Sequence, residues 1–146
     1  MRNALIATIA LVALAAWPSS VFAGEPHKLA LQVSDNDAEK MNAVLNVAAN
    51  VSRYYSDKGE EIEIEVVAFN AGLHMLRDDT SHVKPRLKSF AQSMPNVKFM
   101  ACQNTLDGMT KHEGKKPALV DNAVLVPAGV VRLIELNEKR WTIVRP

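Results

Sequence analysis

The feature that most constrains the fold is a regular alternation between two kinds of apolar pattern along the chain. Short apolar runs, typical of β-strands, alternate with stretches in which apolar residues recur every three or four positions, a spacing typical of amphipathic α-helices. The pattern predicts the order βαβαβαβαβ. Such an alternation indicates an α/β fold with a mainly parallel sheet of about five strands and helices on both faces.

The predicted elements follow from the positions of apolar and chain-breaking residues. The five strands are expected at Lys28–Val33, Glu61–Phe69, Val97–Ala101, Ala123–Val126 and Trp141–Val144. The four helices are expected after the capping residues Ser34–Asp37, after Thr80 and Ser81, over Gln103–His112, and from Val130 to Asn137. The segment Asn70–Gly72 is expected only to break the chain after the second strand.

The first 23 residues read as a secretory signal. Arg2 precedes an apolar run over Ala4–Trp17, and the small residues Val21 and Ala23 fit a signal peptidase site. The run is shorter than the roughly 20 residues that a spanning helix needs, although an uncleaved membrane anchor is the alternative. We therefore expect a signal peptide over residues 1–23, a single domain over residues 24–146, and a periplasmic location.

Charge and composition argue against several classes of partner. The full chain has 17 Lys and Arg residues against 16 Asp and Glu, so loss of Arg2 with the signal leaves a formally neutral mature chain. Nucleic-acid binding requires a basic surface, and base stacking requires aromatic residues, which make up only 5% of this chain. We expect no nucleic-acid partner, and no membrane partner after the signal is cleaved.

In open α/β sheets, ligands bind at the carboxyl ends of the strands. Four segments meet that criterion: Ser34–Asp37, Asn70–Met75, Cys102–Thr105 and Pro127–Gly129. The first carries acids and no glycine, which argues against a phosphate loop. The chain also lacks a GxSxG elbow, as well as the CxxC and HExxH motifs of metal sites. No cofactor and no resident metal are predicted.

Cys102, the single cysteine of the chain, is the main candidate for chemistry. It follows a predicted strand and precedes a predicted helix, whose amino-terminal partial charge favours the thiolate. Its alternative role is that of a small buried apolar residue. His74 is a possible support for the thiolate or a metal ligand, or else a loop histidine with neither role. The expected border of the site comprises Asn70, Gly72, Gln103, Asn104, Pro127 and Gly129.

Three stretches of the chain resemble the DsrE/DsrF-like sulfur-relay family. They are the strand VKFMA with Cys102 and the following Gln-Asn-Thr-Leu, the upstream VVAFNAGLHML, and the closing AVLVPAGVVRLIELNEKRWTIVRP. The resemblance covers about residues 28–146. It implies a flavodoxin-like three-layer fold, assembly as a trimer or hexamer, and a persulfide carried on Cys102. The chain departs from the family in its expected export and in the absence of an arginine-glycine pair after the cysteine.

Together these observations predict an exported sulfur carrier in which Cys102 accepts a persulfide from a donor protein and passes it to an acceptor thiol. A protein that only carries a sulfur atom need not catalyse the turnover of a substrate, so this prediction leaves open whether the protein is an enzyme. The alternative, from a different functional class, is a non-catalytic oligomeric binding module for a small ligand or a soft metal ion.

Overall fold

The computed structural model describes residues 24–146. The predicted signal peptide over residues 1–23 lies outside the described residues. In chain order the elements are β1 (His27–Val33), α1 (Ala38–Asp57), β2 (Ile62–Ala68), a 3₁₀ helix (Asn70–Leu76), α2 (Lys84–Ser93), β3 (Val97–Cys102), α3 (Gln103–Glu113), β4 (Ala123–Val126), α4 (Gly129–Glu138) and β5 (Thr142–Val144). Each predicted strand is present, with its ends within one residue of the expected bounds.

The five strands form one sheet in the order β4-β3-β2-β1-β5, and every neighbouring pair is parallel. Helices pack on both faces. The structure therefore confirms the predicted α/β fold, a flavodoxin-like three-layer arrangement around a parallel sheet.

The two faces of the sheet are covered unequally. From β1 to β4 the chain advances across the sheet in one direction, and right-handed crossovers then place α1, α2 and α3 on the same face. Their apolar residues, such as Met41, Leu87 and Leu106, form the larger core. The chain returns from β4 to β5 over the opposite face through α4, which contributes Leu133 and Leu136 to a smaller core. Within residues 24–146, α4 is therefore the one helix that packs on that second face.

The helix starts reflect local capping chemistry. The Asp37 carboxylate accepts hydrogen bonds from the backbone N–H groups of Glu39 at 2.8 Å and Lys40 at 3.0 Å, which satisfies two free donors of α1. Helix α3 ends at Glu113 and is capped by Gly114, whose φ of 69° is in the left-handed region that glycine tolerates. Within residues 24–146, no helix combines the length and apolar character needed to cross a membrane.

The 3₁₀ helix Asn70–Leu76 was not expected from the sequence. Gly72 allows it to lie directly against the end of β1, since a side chain there would overlap the Val33 carbonyl group. Leu73, Met75 and Leu76 then enter the larger core. The segment predicted as a simple chain break is therefore a packed element that fixes the start of the loop after β2.

Candidate functional site

The topology creates one crevice between neighbouring strands. Strand β3 continues into α3 on one face of the sheet, whereas its neighbour β4 continues into α4 on the other face. The two connections therefore diverge at the carboxyl ends of β3 and β4, which is where open α/β sheets bind ligands. Cys102 is the last residue of β3 and pairs in register with Val126 of β4.

A cavity of about 360 Å³ opens at this crevice. We call it the Cys102 pocket; its lining residues are Phe69, Asn70, Cys102, Asn104, Thr105, Ala128, Gly129 and Val130. They come from the ends of three adjacent strands. The pocket thus brings together four residues singled out from the sequence, namely Cys102, Asn70, Asn104 and Gly129.

The Cys102 residue is only 4% exposed, yet it lines this open pocket. Its side chain projects to the α4 face of the sheet and belongs to the smaller core. The thiol therefore lies at the base of the depression, where a small group entering the pocket can meet it while bulk solvent is largely excluded.

Two helix amino termini converge on the Cys102 sulfur. Burial raises the pKa of the thiol. Interactions with the Thr105 hydroxyl and with the backbone N–H groups of Thr105, Gly129 and Asn104 outweigh it, so that the pKa lies below its ordinary value. Asn104 and Thr105 are in the first turn of α3, and Gly129 is the first residue of α4. The partial positive charge of both helices thus stabilises the thiolate.

Glycine is required at position 129 because α4 begins so close to the pocket wall. A Cβ atom at this position would lie 2.8 Å from the Phe69 Cβ, closer than such atoms approach in proteins. Without a side chain, the start of α4 can rest on Phe69 and bring its first N–H group to the sulfur.

Asn70 and Asn104 connect the strand ends around the pocket. The Asn70 backbone N–H donates to Thr105 Oγ1 at 3.0 Å, and the Asn104 N–H is shared between the Cys102 sulfur and the Pro127 carbonyl oxygen, which lies 3.3 Å away. Asn70 has a φ of 50°, an uncommon conformation that asparagine tolerates better than most residues. These contacts tie the loops after β2, β3 and β4 together.

Three other predicted border residues lie beside the pocket without lining it. Gly72 packs on the backbone of Val33, and the Gln103 side chain donates to Asp107 Oδ1 at 2.6 Å. Pro127 contributes its carbonyl group to the bond with Asn104. Their roles in this structure are to pack and hold the surrounding loops.

His74 is not among the residues that line the pocket. Its ring Nδ1 instead lies 2.8 Å from Thr80 Oγ1. Within residues 24–146, no group of three or more His, Cys, Asp or Glu side chains is arranged to hold a metal ion.

A buried arginine that the sequence analysis did not single out lies near His74. Arg77 is 4% exposed and its guanidinium group donates to Asp79 at 2.9 and 2.7 Å, and to both carboxylate oxygens of Glu113. The Arg77 hydrogen bonds lower the pKa of Asp79 to about 2. This ion-pair cluster joins the carboxyl end of the 3₁₀ helix to the last turn of α3. No sequence motif signals it, because Arg77 and Glu113 are 36 residues apart.

No protein-family model matches the chain, and no curated protein matches it. Among solved structures, the chain is similar to a protein of unknown function from Methanobacterium thermoautotrophicum, with 23% sequence identity and a TM-score of 0.69. The similarity covers 82% of this chain and 99% of that protein. At this level of identity the similarity establishes a common fold alone.

Proposed function

We propose that this protein carries sulfur as a persulfide on Cys102 and passes it between a donor and an acceptor thiol. One observation supports the proposal above the others: the single cysteine lies at the base of an open pocket where two helix amino termini stabilise its thiolate. A thiolate is the nucleophile that sulfur transfer requires. The resemblance to the DsrE/DsrF-like family points to the same residue.

The proposed transfer takes place in two exchange steps without net oxidation. The Cys102 thiolate attacks the terminal sulfur of a donor persulfide, a new S–S bond forms on Cys102, and the donor S–S bond breaks to release the donor thiolate. An acceptor thiolate then attacks the terminal sulfur on Cys102, and the Cys102 thiolate leaves. The amide N–H groups that stabilise the thiolate before the first step also stabilise it as the leaving group in the second.

A cyanide-release assay tests this proposal. Polysulfide-treated wild-type protein is expected to release about one equivalent of thiocyanate per chain, since one thiolate is the sole acceptor. Cys102→Ser removes the acceptor sulfur with little change in volume and is expected to release none. Equal release from both proteins would contradict the proposal.

The second candidate is a non-catalytic oligomeric binding module for a small ligand. Convergent backbone N–H groups at helix amino termini form the usual arrangement for holding a small anion, and the same groups line the Cys102 pocket. Calorimetric titration of Cys102→Ser with thiosulfate distinguishes the two functions. Tight binding by this variant, together with no thiocyanate release from wild type, would favour the binding module. A parallel titration of wild type and Cys102→Ser with Cu(I) tests the soft-metal form.

We also propose that the protein assembles as a trimer or hexamer through the face of the sheet on which α4 packs. The helix exposes about half of each of three apolar side chains, with Val130 at 53%, Val131 at 51% and Ile134 at 53%. Val124, on the edge strand β4, is 51% exposed. Several exposed apolar side chains on one helix are typical of a surface that packs against another protein. Val130 also lines the Cys102 pocket, so such an interface would adjoin the site.

Export to the periplasm completes the proposed function, and its support is the signal-like pattern of residues 1–23. Cell fractionation followed by amino-terminal sequencing tests it. We expect the chain in the periplasmic fraction to begin at Gly24. Full-length protein recovered from the cytoplasm would contradict export.

A further inference from the structure

Thr105 occupies a particular place in the Cys102 pocket. It lies in the first turn of α3, three residues after the cysteine, and lines the pocket together with Asn70 and Cys102. The backbone N–H of Asn70 donates to its hydroxyl oxygen at 3.0 Å across 35 residues of chain. The hydroxyl group is therefore held from the side opposite its own helix.

A hydroxyl has one proton to donate, so its partners determine where that proton goes. Helical threonines commonly donate to the carbonyl four residues earlier, and Thr110 in the same helix does this, with its Oγ1 2.8 Å from the Leu106 carbonyl oxygen. Thr105 instead accepts a hydrogen bond from the Asn70 N–H. That bond occupies one lone pair of the hydroxyl oxygen and leaves the hydroxyl proton available for another acceptor, and Cys102 lines the same pocket.

The backbone of Asn70 is arranged for this contact. Its φ of 50° is uncommon for a residue other than glycine, and it occurs at the point where β2 turns into the 3₁₀ helix. Asparagine is among the few residues other than glycine that adopt this left-handed conformation routinely. Here it directs an N–H group at Thr105.

We propose that Thr105 is a positioning residue for Cys102: its hydroxyl oxygen accepts from the Asn70 N–H and its single proton is donated to the Cys102 sulfur. The contribution of this hydroxyl to the lowered pKa of the thiol agrees with that arrangement. The proposal deepens the proposed sulfur carriage at the same site. It concerns the thiolate itself, however, and is testable without any sulfur donor.

The electrostatic surroundings leave the pocket dipoles as the main influence on Cys102. Among the described residues 24–146, those that line the pocket include no Asp, Glu, Lys, Arg or His side chain. On the elements packed around it, Glu65 of β2 and Arg132 of α4 pair with each other, and Asp107 of α3 accepts from Gln103.

The test is the rate of alkylation by iodoacetamide as a function of pH. Thr105→Val keeps the branched shape and removes the hydroxyl; it is expected to raise the midpoint by roughly one pH unit, the size of effect that one hydrogen bond to a charged group has on a pKa. Thr105→Ser restores the donor and is expected to return the midpoint toward wild type. Thr110→Val makes the same change in the same helix but away from the pocket, so it is expected to leave the alkylation midpoint unchanged.

A Thr105→Val midpoint equal to that of wild type would overturn the proposal, and so would an equal rise in Thr105→Ser. If Thr105→Val does not fold, as judged by circular dichroism, Thr105→Ala replaces it with the same expected shift. The outcome is independent of sulfur carriage. If the midpoint shifts but the protein takes up no sulfane sulfur, the role of Thr105 is supported and the carrier function is contradicted. If the protein takes up sulfur but the midpoint does not shift, the carrier function is supported and the role of Thr105 is contradicted.

Discussion

The guanidinium group of Arg132 on α4 forms a bidentate ion pair with the buried carboxylate of Glu65 on β2. Arg132 Nε lies 2.8 Å from Oε2 of Glu65, and Nη2 lies 2.5 Å from Oε1. Glu65 is 4% exposed and projects from the sheet toward α4, the helix whose first residue is Gly129. The pair therefore anchors the start of α4 to the sheet, one turn from the N–H group that faces Cys102.

Removing only one partner of this ion pair is expected to destabilise the folded protein strongly. Arg132→Met leaves the Glu65 carboxylate buried without compensation, which we expect to lower the free energy of unfolding by about 3–5 kcal/mol. The double variant Arg132→Met with Glu65→Met replaces the pair with apolar groups and is expected to recover most of that loss. Urea unfolding measures both. A double variant less stable than Arg132→Met alone would contradict this account of the pair.

Two glycine-to-alanine changes are expected to have opposite effects. Gly129→Ala forces α4 away from Phe69, so we expect a loss of roughly 1–3 kcal/mol in stability and a higher alkylation midpoint for Cys102. Gly108→Ala, inside α3, meets no atom within 4 Å and is expected to stabilise the protein by about 0.5–1 kcal/mol with the midpoint unchanged. Thermal unfolding and alkylation kinetics test both. Equal midpoints in the two variants would contradict the role of the Gly129 N–H.

Acidic pH is expected to remove the contribution of the Asp79 carboxylate to the stability of the folded protein. The Arg77 hydrogen bonds lower the pKa of this carboxyl to about 2, below the value near 4 of an unfolded chain. A depressed carboxyl pKa stabilises the folded state above about pH 4 and loses its effect as the pH falls toward 2. Asp79→Asn should therefore cost about 1 kcal/mol or less at pH 7, since the side chain is 57% exposed, and almost nothing at pH 2.

The measurement for Asp79 is the difference in unfolding free energy between wild type and Asp79→Asn across this pH range. Asp57→Asn, a change at an exposed aspartate in the last turn of α1, serves as the control. A cost for Asp79→Asn that persists unchanged at pH 2 would contradict the expected loss.

The proposed assembly predicts a change of mass in solution when the apolar face is altered. Ile134→Asp places a charge in the middle of the exposed α4 surface, and we expect it to convert a trimer or hexamer into monomers. Gln92→Asp, at an exposed position of α2 on the opposite face, should leave the assembly unchanged. Light scattering coupled to size-exclusion chromatography measures the mass. A wild-type monomer at micromolar concentration would contradict the proposed assembly.

The fold was predictable from the sequence because each strand and helix carries its own periodic pattern, and because right-handed crossovers restrict the topology. The 3₁₀ helix Asn70–Leu76 was not predictable in this way. It depends on the close approach of Gly72 to the Val33 backbone, a contact between segments far apart in sequence. The short, mixed composition of the segment carries no helical period of its own.

The candidate site was predictable as far as the strand ends. Cys102, Asn70, Asn104 and Gly129 follow three neighbouring strands, so the rule for parallel sheets places them together. The contact between Asn70 and Thr105 depends on the unusual backbone conformation of Asn70, which no local pattern specifies. No local pattern indicates the contact of the His74 ring with Thr80 either, because that contact depends on the path of the chain between the two residues.

The most direct test of the account is sulfur uptake by the folded protein at neutral pH, measured as intact mass after brief exposure to a low-molecular-weight persulfide. We expect wild type to gain the mass of one sulfur atom, removable by a reducing thiol, while Cys102→Ser gains none. A wild-type protein that gains sulfur only after unfolding in denaturant would show that the Cys102 thiol is inaccessible in the native pocket, and would contradict the proposed function.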